Sequence, residues 1–203
     1  MANSNTPFGL QLVRGGSSYA FNGQGDLYSI PSSDTNAYYI NDVVKVVAGS
    51  SADGVPNVVK ITNGTDQILG VVQQVLPARA GPSLVGTSLA LQTSAPATKT
   101  VVYFVTVNTD LTSVYMAQDD GITTANLVAA SANLNSSLTI AAPAAVNMPS
   151  ATVLLSSSFA NTSTLCVKLQ GLMEIPGNEY GAYAKWQCRI NVGTLTGSGT
   201  TGA

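Results

Sequence analysis

The sequence predicts an all-β fold: a jelly-roll-like sandwich or barrel with an extended N-terminal arm at residues 1–14, one β-rich domain at 15–195 and a flexible C-terminal tail at 196–203. Three observations predict it. Short β-branched runs recur, with turn signals between them about every 8–12 residues. The strongest run, residues 100–108, reads Thr-Val-Val-Tyr-Phe-Val-Thr-Val-Asn and carries apolar groups on both faces, as a central strand does. Residues 183–192 alternate strictly. Ala184, Trp186, Cys188, Ile190 and Val192 point one way, and Tyr183, Lys185, Gln187, Arg189 and Asn191 the other, the period of a strand covered on one side.

Taken in order, residues 10–14 form a short apolar stretch broken by Gly15-Gly16, and residues 23–26 make a turn. Residues 27–30 and 38–48 read as strands around a loop at 31–36, with Asn41-Asp42 interrupting the second. Its later part, Val43-Val44-Lys45-Val46-Val47, has the composition of a strand covered on both faces. Asp53-Gly54 marks a turn. Asn63-Gly64, the strongest two-residue hairpin signal in the chain, predicts that residues 57–62 and 68–76 pair. Residues 77–82 form a Pro/Gly loop. Residues 112–118 are expected to pair with 100–108 across 108–110, before a turn at Asp119-Asp120-Gly121. Residues 125–134 read as a short helix or as part of a long loop, with Pro143 and Pro149 opposing regular structure further on. In residues 164–170, Leu165, Val167 and Leu169 share one face, and Cys166, Lys168 and Gln170 the other. A Pro/Gly loop at 174–181 leads into the alternating strand.

Composition narrows the function. The chain contains no histidine, so no Ser-His-Asp or Cys-His site and no His-ligated zinc can be built. Charged residues make up 9% of the chain, against roughly 25% in typical soluble proteins, and the net charge is −2. A surface this poor in charge suits a protein covered by neighbours, and equally one made polar by Ser, Thr and Asn. Arg14, Lys45, Lys60, Arg79, Lys99, Lys168, Lys185 and Arg189 are scattered singly, which argues against nucleic-acid binding. No apolar stretch approaches the roughly 20 residues a bilayer span requires. Residues 1–10 lack the positive charge and apolar run of a secretory signal, so the expectation is synthesis and use in the cytoplasm, or release from the cell by lysis. Cys166 and Cys188 are expected to stay thiols, as small buried hydrophobes or half-exposed strand residues, with a disulfide open to them only if their Cα atoms lie within about 7 Å.

The remaining motifs read as structure. Asp119-Asp120-Gly121 lacks the further ligands of a calcium loop. Glu174 and Glu179 flank a Pro-Gly loop in a chain with few aromatics to hold a sugar, so a carboxylate-pair hydrolase is a remote reading. The Asn-x-Ser/Thr triplets at Asn63, Asn135 and Asn161 arise readily in so Ser/Thr/Asn-rich a chain. The glycine-rich pieces match no phosphate-binding loop. Trp186 is expected in the core. No catalytic residue, cofactor or metal ligand is predicted.

Two segments, in order, resemble a known family. Asn5-Thr6-Pro7-Phe8-Gly9-Leu10-Gln11-Leu12-Val13-Arg14 resembles the opening of tailed-bacteriophage head decoration proteins, also called cement proteins. Tyr28-Ser29-Ile30-Pro31 to Asp34, Ile40-Asn41-Asp42-Val43-Val44-Lys45 and Ile68-Leu69-Gly70-Val71-Val72 are similar to that family's middle. Leu169-Gln170-Gly171-Leu172, Pro176, Asn178, Gly181, Ala184-Lys185-Trp186 and Arg189-Ile190-Asn191 are similar to its ending. Leu12 stands where the family often has Pro, and Asn41 where it often has Gly. The resemblance implies a non-enzymatic virion protein on the outer capsid surface, assembled in the bacterial cytoplasm. It would bind a major capsid protein of the HK97-like fold and meet itself as a homo-dimer or homo-trimer on symmetry axes, with no nucleic acid and no membrane as partner. Asn5, Pro7, Phe8, Leu10 and Arg14 are the expected capsid or neighbour contacts, with Phe8 as apolar and Arg14 as ionic anchor. The competing reading is that Phe8 and Leu10 cover the protein's own core. The alternative function is a receptor- or carbohydrate-binding module, disfavoured because the adjacent Tyr38 and Tyr39 would face opposite sides of a strand.

Overall fold

The computed structural model describes residues 3–15, 25–76, 93–194, Gly199 and Gly202. Its strands are β1 (Gln11–Arg14), β2 (Asp26–Ile30), β3 (Tyr38–Tyr39), β4 (Val43–Ser50), β5 (Pro56–Lys60), β6 (Gly70–Leu76), β7 (Ser94–Ala95), β8 (Tyr103–Asn108), β9 (Val114–Gln118), β10 (Asn135–Ser136), β11 (Leu138–Thr139), β12 (Val153–Leu154), β13 (Val167–Leu172) and β14 (Lys185–Ile190). The fold is all-β, as expected. Strands β2-β5-β4-β6-β8 close into a barrel beside a five-stranded sheet in the order β1-β9-β14-β13-β10. Two-stranded pairs β3-β7 and β11-β12 complete it.

The two units share walls because consecutive strand residues face opposite ways. Val44, Leu69 and Val72 fill the barrel with Ile30, Tyr38, Val58, Val75, Ala95, Val105 and Val107. Their chain neighbours Val43, Ile68 and Val71 face the second core, around Trp186, Tyr115, Leu154, Leu169 and Cys188. This explains the two-sided apolar run predicted at Val43-Val44, but the prediction fails further on: Val46 and Val47 are 44% and 36% exposed. Gly70 is required where β6 meets β8, since a Cβ there would sit 2.1 Å from the Asn108 carbonyl oxygen.

Turn chemistry was read correctly at Asp53-Gly54, where Gly54 takes φ 78° and β4 and β5 form the antiparallel hairpin. At Asn63-Gly64 the prediction is overturned. β5 and β6 do not pair; β4 lies between them in the barrel. A type I′ turn needs positive φ at both central residues, and neither Asn63 nor Gly64 has it. Instead the Asp66 carboxylate accepts the Thr62 and Asn63 N–H groups (3.0 and 3.1 Å) and pairs with Lys45 (2.9 Å). That closes a wide turn leading away from β5. The predicted pairing of 112–118 with 100–108 also fails. β9 joins β14 and β1 in the other sheet. The chain crosses there because buried Asn108 turns its side chain onto Ser113 (3.0 Å) and Tyr115 (3.1 Å) in the second core.

Residues 125–134 form no α-helix; short 3₁₀ turns at Thr124–Asn126 and Ala129–Ser131 sit in a long loop. β14 shows the predicted alternation, with Trp186, Cys188 and Ile190 buried. Cys166 and Cys188 are both buried and unbonded, so the thiol reading holds. Burial pushes each thiol's pKa up to about 12. Neither should react with a thiol reagent at pH 8 in the native protein, and both should react on unfolding; prompt labelling of the folded chain would contradict this placement. The expected loop at 77–82 and most of the predicted tail lie outside the described residues. Gly202 N–H donates to the Asn161 carbonyl (3.0 Å), so that tail position rests on the body.

Candidate interaction surface

The arm is laid against its own protein. Asn3 Nδ2 donates to the carbonyls of Glu179 (2.8 Å) and Ala182 (3.1 Å), and its Oδ1 accepts the Glu179 N–H (3.1 Å). Gln118, fully buried at the end of β9, donates to Ser4 (2.6 Å) and Tyr183 (3.0 Å) carbonyls and accepts the Thr6 N–H (3.1 Å). Asn41 Nδ2 donates to the Phe8 carbonyl (2.9 Å), and Asn41 C=O accepts the Leu10 N–H (3.2 Å). Residues 3–10 are therefore a strap that crosses β9 and the 178–184 loop before entering the sheet as β1. Gln118 was not singled out by the sequence; an amide in a strand carries no signal that it will hold a distant segment.

Asn5 is exposed, Pro7 and Phe8 are half-buried, and Arg14 is exposed at the end of β1. Leu10 is corrected: it is 0% exposed in the main core, so its side chain meets no partner. Asn41 has φ 69°, a left-handed conformation that Asn tolerates better than most residues.

β1 is the outer strand of its sheet, pairing only with β9 among the described residues. Along it runs an open groove of about 570 Å³ lined by Gln11, Leu12, Val13, Arg14, Ile40, Asn41 and Gln73. Arg14 is the only charged residue in that lining, and Val13 is 41% exposed. A second exposed strand stretch, this one without charge, is the outer half of β4, where residues 46–50 are all exposed. Such exposed stretches are what an assembly covers.

The rival sites are not assembled. Tyr38 and Tyr39 are both buried, so they offer no sugar platform. Glu174 and Glu179 are exposed loop residues. The Asp119 carboxylate accepts the N–H groups of Gly121 and Tyr183 (both 2.8 Å) and Trp186 Nε1–H (3.1 Å), the role of a turn-holding group. Among the described residues no cluster of His, Cys, Asp and Glu is arranged to hold a metal, and no helix is long and apolar enough to cross a membrane. No family model matches the chain, and neither curated proteins nor solved structures give a match.

Proposed function

We propose that the chain is a structural virion protein that binds the outer surface of a tailed-phage capsid and ties neighbouring major capsid protein subunits together. The reading rests on the ordered resemblance to head decoration proteins from Asn5 to Asn191. The low charge, the all-β body and the exposed, sparsely charged strand stretches support it. Each copy needs only modest affinity, because an oligomer touching several capsid subunits gains from effective concentration. No catalytic role is proposed.

The contact surface is the β1 margin with the strap beside it: Asn5, Phe8, Val13 and Arg14. Replacing Val13 by Lys together with Arg14 by Glu should abolish co-sedimentation with undecorated heads. The thermal unfolding of the free protein should stay within a few degrees of the parent, since both side chains are exposed. Undiminished binding would remove β1 from the contact surface.

A further inference from the structure

Beyond the proposed function and independent of it, the barrel wall holds a buried lysine–aspartate pair. Asp42 is 0% exposed in the turn before β4, and Lys60, 7% exposed, ends β5. Their side chains meet with Nζ 2.7 Å from Oδ2. Both backbones are pinned. Asp42 C=O accepts the Val72 N–H (2.8 Å), and Asp42 N–H donates to Tyr39 (3.1 Å). Lys60 is paired with Val44, and its N–H donates to the Tyr38 hydroxyl (2.9 Å). Tyr39 and Tyr38 wall the pair off, with Lys60 Nζ 5.3 Å from the Tyr39 ring centroid.

The environment is unusual for a simple ion pair. Asp42 Oδ1 is buried with no hydrogen-bond partner at normal distance; the nearby Ser150 hydroxyl, which donates to Thr152 (3.0 Å), still favours the carboxylate. Burial raises the Asp42 carboxyl's pKa, opposed in part by the Lys60 ammonium, so desolvation works in favour of the acid form. The Tyr39 N–H donates to Oδ2 (2.8 Å), and the Ala37 carbonyl accepts from Nζ (3.2 Å), fixing both reacting groups. An amine and a carboxylic acid held together without water between them have the proximity that replaces a bimolecular barrier.

We propose that Lys60 and Asp42 condense spontaneously into an intramolecular isopeptide bond, a covalent staple between β5 and the turn that enters β4. One Nζ proton passes to Oδ2 along the 2.7 Å contact, leaving a neutral amine and acid. Nζ attacks Cγ, and an N–C bond forms. The Cγ–Oδ2 bond breaks, and the hydroxyl leaves as water with a second Nζ proton. The third Nζ proton stays on the amide, facing the Ala37 carbonyl. Nothing is oxidised or reduced, and no co-reactant is needed.

The test is the intact mass of the purified full chain after incubation in its native state, followed by proteolysis and fragmentation. The expected result is a mass one water below the sequence value. A branched peptide should join the segments containing Asp42 and Lys60, with no tryptic cleavage after Lys60, and Lys60→Arg should restore the full mass. The full sequence mass in the parent protein would overturn the proposal. So would a lost water that maps to a succinimide at Asp53-Gly54 or Asp120-Gly121. The measurement on the parent chain decides the matter even if the variant fails to fold.

Discussion

Trp186→Ala should be the most damaging single substitution in the second core. Trp186 is fully buried and makes edge contacts with Phe159 (centroids 5.7 Å) and Tyr180 (5.6 Å), while its indole N–H donates to Asp119 (3.1 Å). Emptying that volume should cost ~3–5 kcal/mol, a fall of about 10 °C or more in Tm for a chain of this size, read by circular dichroism. Trp186→Phe separates the contributions. It keeps most of the packing but takes the donor from Asp119 Oδ2 in a mostly buried setting, for about 1–3 kcal/mol. A Trp186→Ala protein that melts with the parent would mean that β14 does not pack as described.

Gly9→Val should be nearly as severe, and for a different reason. Gly9 has φ 73°, and a Cβ there would lie 2.6 Å from the Asn41 carbonyl oxygen and 2.7 Å from Ser150 Cβ. A β-branched residue meets both backbone strain and a collision with a turn that is itself left-handed at Asn41. The expected cost is ~2 kcal/mol or more, and the strap should detach, making residues 3–8 open to protease while the sheet persists. A variant with parental stability and a protected N-terminus would contradict the seating of the strap. Deleting residues 2–9 would also remove this joint. It would take Ser4 and Thr6 from Gln118 and leave only the Tyr183 carbonyl, so loss of capsid binding counts as contact only if the truncated protein still folds.

The elements that the sequence made legible were those whose signal is local. The alternation of Trp186, Cys188 and Ile190 identified β14 and its buried face, and Asp53-Gly54 marked the β4–β5 hairpin, because a side-chain period and a positive φ are properties of a few residues. Strand partners were not local. Asn63-Gly64 carries a hairpin signal, but Asp66 takes the neighbouring amides, and β4 lies between β5 and β6 while Val43, Ile68 and Val71 face the second core. β9 does not pair with β8 either, and Asn108 and Tyr115 bond across the step between the two units. At the candidate surface, Arg14 could be read as exposed from its type. The burial of Leu10 and the grip of Gln118 on the strap depend on chain segments more than a hundred residues apart.

The most direct test of the proposed role is high-resolution electron cryomicroscopy of the virus particle that carries this chain. The account predicts density for the barrel and its adjoining sheet outside the capsid lattice, in fixed ratio to the major capsid protein, bridging capsomers with the β1 margin turned towards the shell. Density for this chain on tail fibres alone, or its absence from the particle, would contradict it.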